Sequence, residues 1–140
     1  MSENGSQTCS RDFPGTIAAA SDAEAWLLSQ SSALGLAADT EFAINVCLEE
    51  LFLNAVQHGL ANRTRVSISA GSDAVKVEFI DDGKPFDPAS APAKRATERE
   101  AFEIGGYGTG LVRKFSRRMT YARTDGQNRL VLEFDPGQNA

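Results

Sequence analysis

Residues 49–59 read EELFLNAVQHG and end a run, from about residue 39, that the sequence predicts to form one helix. Apolar residues recur along this run at the spacing of one buried helical face: Ile44, Leu48, Leu51, Phe52, Ala55 and Val56. Glu50 and Asn54 are four residues apart, so their side chains lie one turn apart on a common face. Gly59 is predicted to end the helix as its C-cap.

The face that carries Glu50 and Asn54 is flanked by Val46, Cys47 and Leu53, so it is not purely a solvent-facing surface. A carboxylate and an amide in such a setting need polar partners. Two interpretations stand at this point. The pair is either an ordinary polar helix face, because most charged helical positions are exposed, or part of a functional site.

The composition of the chain is that of one globular domain. Its 140 residues are 41% hydrophobic and 24% charged, which is enough for a sizeable core. The formal net charge of −5 argues against a general nucleic-acid-binding surface, which is usually basic. Cys9 and Cys47 have neither metal-site nor disulfide spacing, and Cys47 is predicted to be a buried thiol.

The chain ends and the apolar segments bear on location and domain organisation. Residues 1–7 are polar and lack the apolar core of a signal peptide, and no apolar segment has the length of a membrane span. We therefore expect a cytoplasmic protein without membrane contacts. We also expect a single domain over residues 1–140, with an ordered core from about residue 8 to residue 134 and loose tails at both ends.

Two further elements are predicted before the central helix. Residues 8–13 are predicted to be a short edge strand. Ser21 and Glu24 fit a capping box, which predicts a helix from Ser21 to about Leu34, with Gly35 as its stop. Trp26 in this helix is predicted to anchor the core.

Two antiparallel hairpins are predicted on the C-terminal side of the central helix. Alternating apolar and polar residues predict the first over residues 66–70 and 75–80, and the second over residues 119–123 and 129–134. A helix is predicted between them, over residues 111–118. These elements predict an α+β fold, a two-layer α/β sandwich whose mixed, mainly antiparallel sheet carries helices on one face.

Three segments carry residues with a chemical use. The glycine run at residues 105–110 opens a predicted helix, where backbone N–H groups can approach an anion; a capped turn is the alternative. Asp81 and Asp82 end a strand, where a carboxylate can accept a hydrogen bond from an amino group such as that of adenine; an ordinary Asp-Gly turn is the alternative. The Glu50 and Asn54 face is the third, and each segment alone is weak evidence.

The order of these segments resembles the GHKL ATPase superfamily, whose nucleotide-binding domain has the Bergerat fold. A Glu…Asn helix, a strand ending in Asp-x-Gly, a long variable loop and glycines that open a helix follow one another within residues 8–134. In detail the chain is similar to the anti-sigma factor serine/threonine kinases, the RsbW-like branch. The matching motifs are ExxxNAxxHG at residues 50–59, DDGxPFDP at residues 81–88 and GGYGTGLV at residues 105–112.

The resemblance implies a role for each of four residues in binding and using ATP. Asn54 would give an amide oxygen to a Mg²⁺ beside the ATP phosphates, because Mg²⁺ takes only one or two protein ligands in such sites. Glu50 would act as general base on the attacking hydroxyl of a protein serine or threonine. Asp81 would accept the adenine amino group, and Gly83 would let the ring approach the backbone.

The resemblance also gives roles to the glycine run and to the loop before it. The ATP phosphates would lie against Gly106, Gly108, Thr109 and Gly110. Residues from about 84 to 104 would form the ATP lid. His58 matches the family motif, and a structural role near the helix end is its preferred interpretation.

Two features bear on how closely the chain follows the family. Lys84-Pro85 stands where many GHKL ATPases carry a second glycine. Glu49 is a second carboxylate beside Glu50, but it points about 100° around the helix. The four-residue spacing to Asn54 therefore favours Glu50 as the base.

Four functions fit the resemblance. The first is an ATP-dependent serine/threonine kinase that phosphorylates a STAS-type anti-anti-sigma partner and also binds a sigma factor; the second lacks the sigma factor. The third, a histidine kinase module, is disfavoured because no dimerising hairpin with a phosphoacceptor histidine is expected upstream. The fourth is a nucleotide-gated binding module without transferase activity. Homodimers are common in this branch, and a homodimer is carried over as an expectation.

Overall fold

The computed structural model of the protein describes residues 7–87 and 112–137, so the glycine run and the predicted lid from residue 88 onward lie outside the described residues. The described part contains two long helices and five strands, besides a short helical segment at residues 112–115. In chain order they are β1 (Gln7–Pro14), α1 (Ala19–Leu34), α2 (Ala38–Gln57), β2 (Arg63–Ala70), β3 (Val75–Asp81), β4 (Arg118–Thr124) and β5 (Gln127–Phe134).

The five described strands form one sheet in the order β1-β2-β3-β5-β4, and each neighbouring pair is antiparallel. Both predicted hairpins are present, as β2 with β3 and β4 with β5. The pairing of β3 with β5 joins the hairpins and sets Asp81 directly opposite Asn128. The predicted α+β sandwich is confirmed, and β1 is an edge strand as predicted.

The core lies between the sheet and the two helices. Alternate residues of the central strands face α1 and α2, and the largest buried side chains include Leu27, Ile44, Leu48, Phe52, Val66, Ile68, Val77, Leu132 and Phe134. The Phe52 ring meets Phe13 at 5.9 Å and Phe79 at 5.1 Å, both edge to face. Truncating Phe52 to alanine would cost about 3–5 kcal/mol and loosen the part of α2 that carries Asn54. Trp26 and Cys47 are buried, as predicted.

The start of α1 differs from the prediction. The helix begins at Ala19, and its N-cap is Ala18, which makes no side-chain cap hydrogen bond, so the capping box with Ser21 is wrong. The Thr16 hydroxyl accepts a hydrogen bond from the Ala19 N–H at 3.2 Å. Because Ala19 and Ala20 are buried in the core, packing extends the helix past the local signal. Gly35 ends it with a φ of 69°, as predicted.

The end of α2 also differs from the prediction. His58 is the C-cap and has a right-handed helical backbone, so Gly59 is not the C-cap. A Cβ on residue 59 would lie 2.8 Å from the Ala55 carbonyl oxygen, so close packing requires glycine there. The predicted helix over residues 111–118 is helical only to residue 115 in its described part, and Arg118 already begins β4.

Within residues 7–87 and 112–137, no helix is both long enough and apolar enough to cross a membrane.

Candidate functional site

A small pocket lies between the C-terminal half of α2 and the sheet. Asn54 lines it from α2, Asp81 from the end of β3, Asn128 from β5, Tyr121 from β4, and Phe86 from the turn after β3. The cavity measures about 20 Å³, which is room for one water molecule. A purine base therefore enters only if a lining side chain moves, and Phe86 is the one that lies on neither a helix nor a strand.

Asp81 is buried at the last position of β3. Its Oδ1 accepts hydrogen bonds from the Gly83 N–H at 2.8 Å and from Asn128 Nδ2 at 3.0 Å. Burial raises the pKa of this carboxyl, and the hydrogen bonds from Asn128 and Gly83 oppose the rise. Among the described residues both hydrogen bonds end on Oδ1, which leaves Oδ2 available to a donor on a ligand.

Asp82, the next residue, has a different surrounding. Its side chain is exposed, and its Oδ1 accepts hydrogen bonds from the backbone N–H groups of Asn62 at 2.7 Å and Arg63 at 3.0 Å. Desolvation by burial works to raise the pKa of Asp82, but these backbone donors outweigh it and the pKa is lowered. Asp82 thus ties the end of β3 to the start of β2, whereas Asp81 faces the pocket.

Gly83 allows the turn after β3 to approach the end of α2. A Cβ on residue 83 would lie 2.6 Å from the Gly59 carbonyl oxygen, and the Lys84 N–H donates to that same oxygen at 2.8 Å. Arg123 on β4 donates to the Gly83 carbonyl oxygen at 2.7 Å. Packing therefore accounts for the glycine, and its role toward adenine stays a prediction.

Asn54 is 2% exposed, and within the described part of the chain neither its Oδ1 nor its Nδ2 has a hydrogen-bond partner. A buried polar group left without a partner costs about 1–3 kcal/mol, so native proteins seldom keep one without a reason. The structure brings this amide and Asp81, from two separate motifs, into one pocket.

Glu50 is half-buried on α2, one turn before Asn54, and it does not line the pocket itself. Burial raises the pKa of its carboxyl, and the negative charge of Glu49 raises it further. Glu49 is exposed and faces Glu24 on α1. Burial raises the pKa of the Glu24 carboxyl, and the charge of Glu49 and a hydrogen bond with it raise that pKa further. Burial, then Glu50, raises the pKa of Cys47 to about 12, so this thiol is unreactive.

Residues 13–134 match the model of the histidine kinase-like ATPase domain. The chain belongs to this family. The resemblance to GHKL ATPases is thereby confirmed, and membership implies that the domain binds ATP.

A relative of this ATPase domain carries a kinase name. It is the serine/threonine-protein kinase BtrW of Bordetella bronchiseptica, which is 28% identical over 134 residues, covering 91% of this chain and 93% of the relative. The match therefore spans most of this chain and most of the relative. It supports a kinase as the activity that this ATPase domain carries.

The donors present in the ATPase domain fit a nucleotide-bound Mg²⁺. The unpartnered Asn54 oxygen is the kind of hard ligand that Mg²⁺ prefers. Within residues 7–87 and 112–137, no three His, Cys, Asp or Glu side chains converge as a metal site. A Mg²⁺ here would therefore be held by Asn54 together with phosphate oxygens and water, as in other nucleotide sites with few protein ligands.

Of the remaining residues of the predicted site, His58 lies in the described part of the chain and the phosphate-binding residues do not. The His58 ring stacks on Phe86 with centroids 5.2 Å apart and planes 7° from parallel, in keeping with a structural role. The predicted phosphate-binding residues fall outside the described part of the chain, namely Gly106, Gly108, Thr109 and Gly110.

Sequence reasoning missed Asn128, Tyr121 and Phe86 as residues of the ATPase domain's pocket. One signal for Asn128 was present. It occupies the same alternating positions of β5 as the buried Leu130 and Leu132, so a polar residue stands where the pattern calls for an apolar one.

Proposed function

We propose that this ATPase domain is an ATP-dependent protein serine/threonine kinase of the anti-sigma factor type, which phosphorylates a STAS-type anti-anti-sigma partner in a partner-switching system. The observation that carries the proposal is the arrangement on α2. A half-buried Glu50 with a raised pKa precedes, by one turn, a buried Asn54 whose amide has no partner among the described residues. The printed name of the Bordetella bronchiseptica relative supports a kinase.

The proposed step transfers the γ-phosphoryl group of ATP to a partner hydroxyl. The hydroxyl oxygen forms a bond to the γ-phosphorus, the bond from that phosphorus to the β–γ bridging oxygen breaks, and ADP leaves. The hydroxyl proton passes to the Glu50 carboxylate, and a pKa raised toward neutrality improves a carboxylate as a base. Asp81 holds the adenine amino group, and a Mg²⁺ at Asn54 would supply positive charge to the phosphates.

The test removes the base while keeping its size and polarity. Glu50→Gln should leave ATP binding within a few-fold of the parent and lower phosphotransfer by about a hundredfold or more. Glu49→Gln is the matched control, because it removes the neighbouring exposed carboxylate. Since the charge of Glu49 helps to raise the pKa of Glu50, we expect this variant to lose activity by no more than a few-fold. The assay uses labelled ATP and candidate STAS proteins from the same genome.

Each outcome of this assay bears on the proposal. A parent that labels a partner on serine or threonine, with Glu50→Gln inactive, supports the kinase and its base. Equal activity of parent and Glu50→Gln would remove Glu50 from the role. A parent that binds ATP and labels no candidate would overturn the kinase in favour of a nucleotide-gated binding module.

The partners proposed beyond the substrate need a separate experiment. A pull-down from the native host, followed by mass spectrometry, distinguishes a kinase that also binds a sigma factor from one that does not. Recovery of a sigma factor supports the first form. Light scattering of the purified protein tests the proposed homodimer, which predicts twice the mass of the 15.0 kDa chain.

A further inference from the structure

One amide on the sheet side of the pocket has every hydrogen-bonding position occupied. Asn128 is buried opposite Asp81, and its Nδ2 donates to Asp81 Oδ1 at 3.0 Å and to the Lys84 carbonyl oxygen at 2.7 Å. Its Oδ1 accepts from the Tyr121 hydroxyl at 2.6 Å and from the Phe86 N–H at 3.3 Å. An asparagine amide has two donor hydrogens and one oxygen with two acceptor positions. No position is left for a ligand.

The partners also fix which way this amide points. The Phe86 N–H can only donate, and the Lys84 carbonyl can only accept. A flipped Asn128 amide would turn its oxygen toward a carboxylate and a carbonyl, and its NH₂ group toward an N–H. Tyr121, whose hydroxyl can rotate to donate, completes the observed orientation. A donor therefore always faces Asp81 Oδ1.

We propose that Asn128, held by Tyr121, is a positioning residue for adenine recognition, which fixes the Asp81 carboxylate so that Oδ2 faces the amino group of the base. Asn128 does not contact the nucleotide itself. The inference rests on the nucleotide site of the proposed function. Under this inference, residues of β4 and β5 contribute to the preference for adenine. The sequence motifs assign adenine recognition to the end of β3 alone.

The probe for this role is a nucleotide that differs from ATP only at the amino group. Purine riboside 5′-triphosphate lacks the 6-amino group and keeps the ring, ribose and phosphates. The ratio of its dissociation constant to that of ATP therefore measures the hydrogen bond to Asp81. Loss of general stability or of pocket shape would weaken both nucleotides and leave this ratio unchanged.

Tyr121→Phe removes one hydroxyl and leaves the ring in place. Without that donor the Asn128 amide is less constrained, so Asp81 is less well oriented. We expect ATP affinity to fall by about three- to tenfold, the effect of one hydrogen bond, while affinity for purine riboside triphosphate stays near the parent value. The preference for ATP should shrink by that same factor.

Asn128→Asp puts an acceptor where the donor stood. At about pH 8 the two facing carboxylates repel, and the preference for ATP should be lost. At about pH 5.5 a proton shared by the pair replaces the missing Nδ2 hydrogen, so the preference should partly return. Asp82 and Arg123 are the charged neighbours of Asp81, and both are present in the parent and in Asn128→Asp. Gln127→Glu makes the same charge change at an exposed adjacent residue and should follow the parent at both pH values.

The outcomes separate this inference from the proposed kinase. If both variants keep the parent's preference for ATP, or weaken the two nucleotides equally, the positioning role is overturned. If the parent prefers ATP as predicted, the variants lose that preference and no partner is labelled, the kinase fails and the positioning role stands. If a partner is labelled and the preference is unaltered in the variants, only the positioning role fails.

Discussion

Two asparagines line the same pocket and have opposite surroundings. Asn54 on α2 is 2% exposed and has no hydrogen-bond partner among the described residues, whereas Asn128 on β5 is 5% exposed and makes four hydrogen bonds. The two amides are chemically identical, so we attribute the difference in their hydrogen bonding to different roles in the site. Asn54 keeps its oxygen available for a ligand, and Asn128 uses all its capacity on the protein.

The contrast extends to the carboxylate beside each asparagine. On the helix side, Asn54 has no hydrogen-bond partner among the described residues, and Glu50 lies one turn before it on α2, outside the pocket lining. On the sheet side, Asp81, Asn128 and Tyr121, the groups are bonded to one another in a fixed arrangement. Groups that hold one another in place suit recognition of a base. An amide oxygen without a partner among the described residues can instead serve as a ligand to Mg²⁺.

The largest effect should appear when each asparagine is replaced by leucine of similar size. Asn128→Leu should lower the free energy of unfolding by roughly 2–5 kcal/mol, because each buried group that loses its partner costs about 1–3 kcal/mol. Asn54→Leu takes no hydrogen-bond partner away from any described residue, so the nucleotide-free protein should be unchanged or more stable by up to about 2 kcal/mol. Urea unfolding of both variants measures the difference, and equal destabilisation would break the comparison.

The next effect concerns the two adjacent carboxylates. Asp81→Asn replaces an acceptor by a group that can turn a donor toward the adenine amino group. A lost charged hydrogen bond costs about 1.5–3 kcal/mol, so ATP affinity should fall roughly ten- to a hundredfold. Asp82→Asn is the control, since its amide oxygen can still accept from Asn62 and Arg63. An equal loss in a calorimetric titration of both variants would show that the turn, and not Asp81, matters.

The smallest effect is the pH dependence of stability that Glu50 contributes. Its pKa is raised in the folded protein by burial and by Glu49, so its contribution is fully present below the unfolded pKa and is lost as pH rises through the folded pKa. The melting temperature of Glu50→Gln, relative to the parent, should therefore rise between pH 4 and pH 7. A Glu50→Gln difference that falls over this range would contradict the raised pKa.

Sequence patterns predicted the elements well because their signals are local. The alternation in β2, β3 and β5 and the helical spacing in α2 each lie within one short segment. The predicted start of α1 was wrong because burial of Ala19 and Ala20 outweighed a local capping signal at Ser21. Local chemistry sets a preference, and packing overrides it where the core gains area.

The candidate site was predicted only where a motif carried it. Asp81 and Asn54 were found through their motifs, but the state of each depends on residues distant in sequence. Asn128 bonds to Asp81 across 47 positions, and only the pairing of β3 with β5 brings them together. No local sequence pattern indicates that Asn128 uses all its hydrogen-bonding positions or that Asn54 has no partner among the described residues.

The central claim is that this pocket binds Mg·ATP with Asn54 as the metal ligand, and a calorimetric titration of ATP with and without Mg²⁺ tests it most directly. The parent should bind more tightly with Mg²⁺, and Asn54→Ala should lose most of that dependence. Asn45→Ala is the control, because the Asn45 Oδ1 on α2 is also buried without a partner among the described residues but does not line the pocket. If Asn54→Ala binds Mg·ATP like the parent, the account is contradicted.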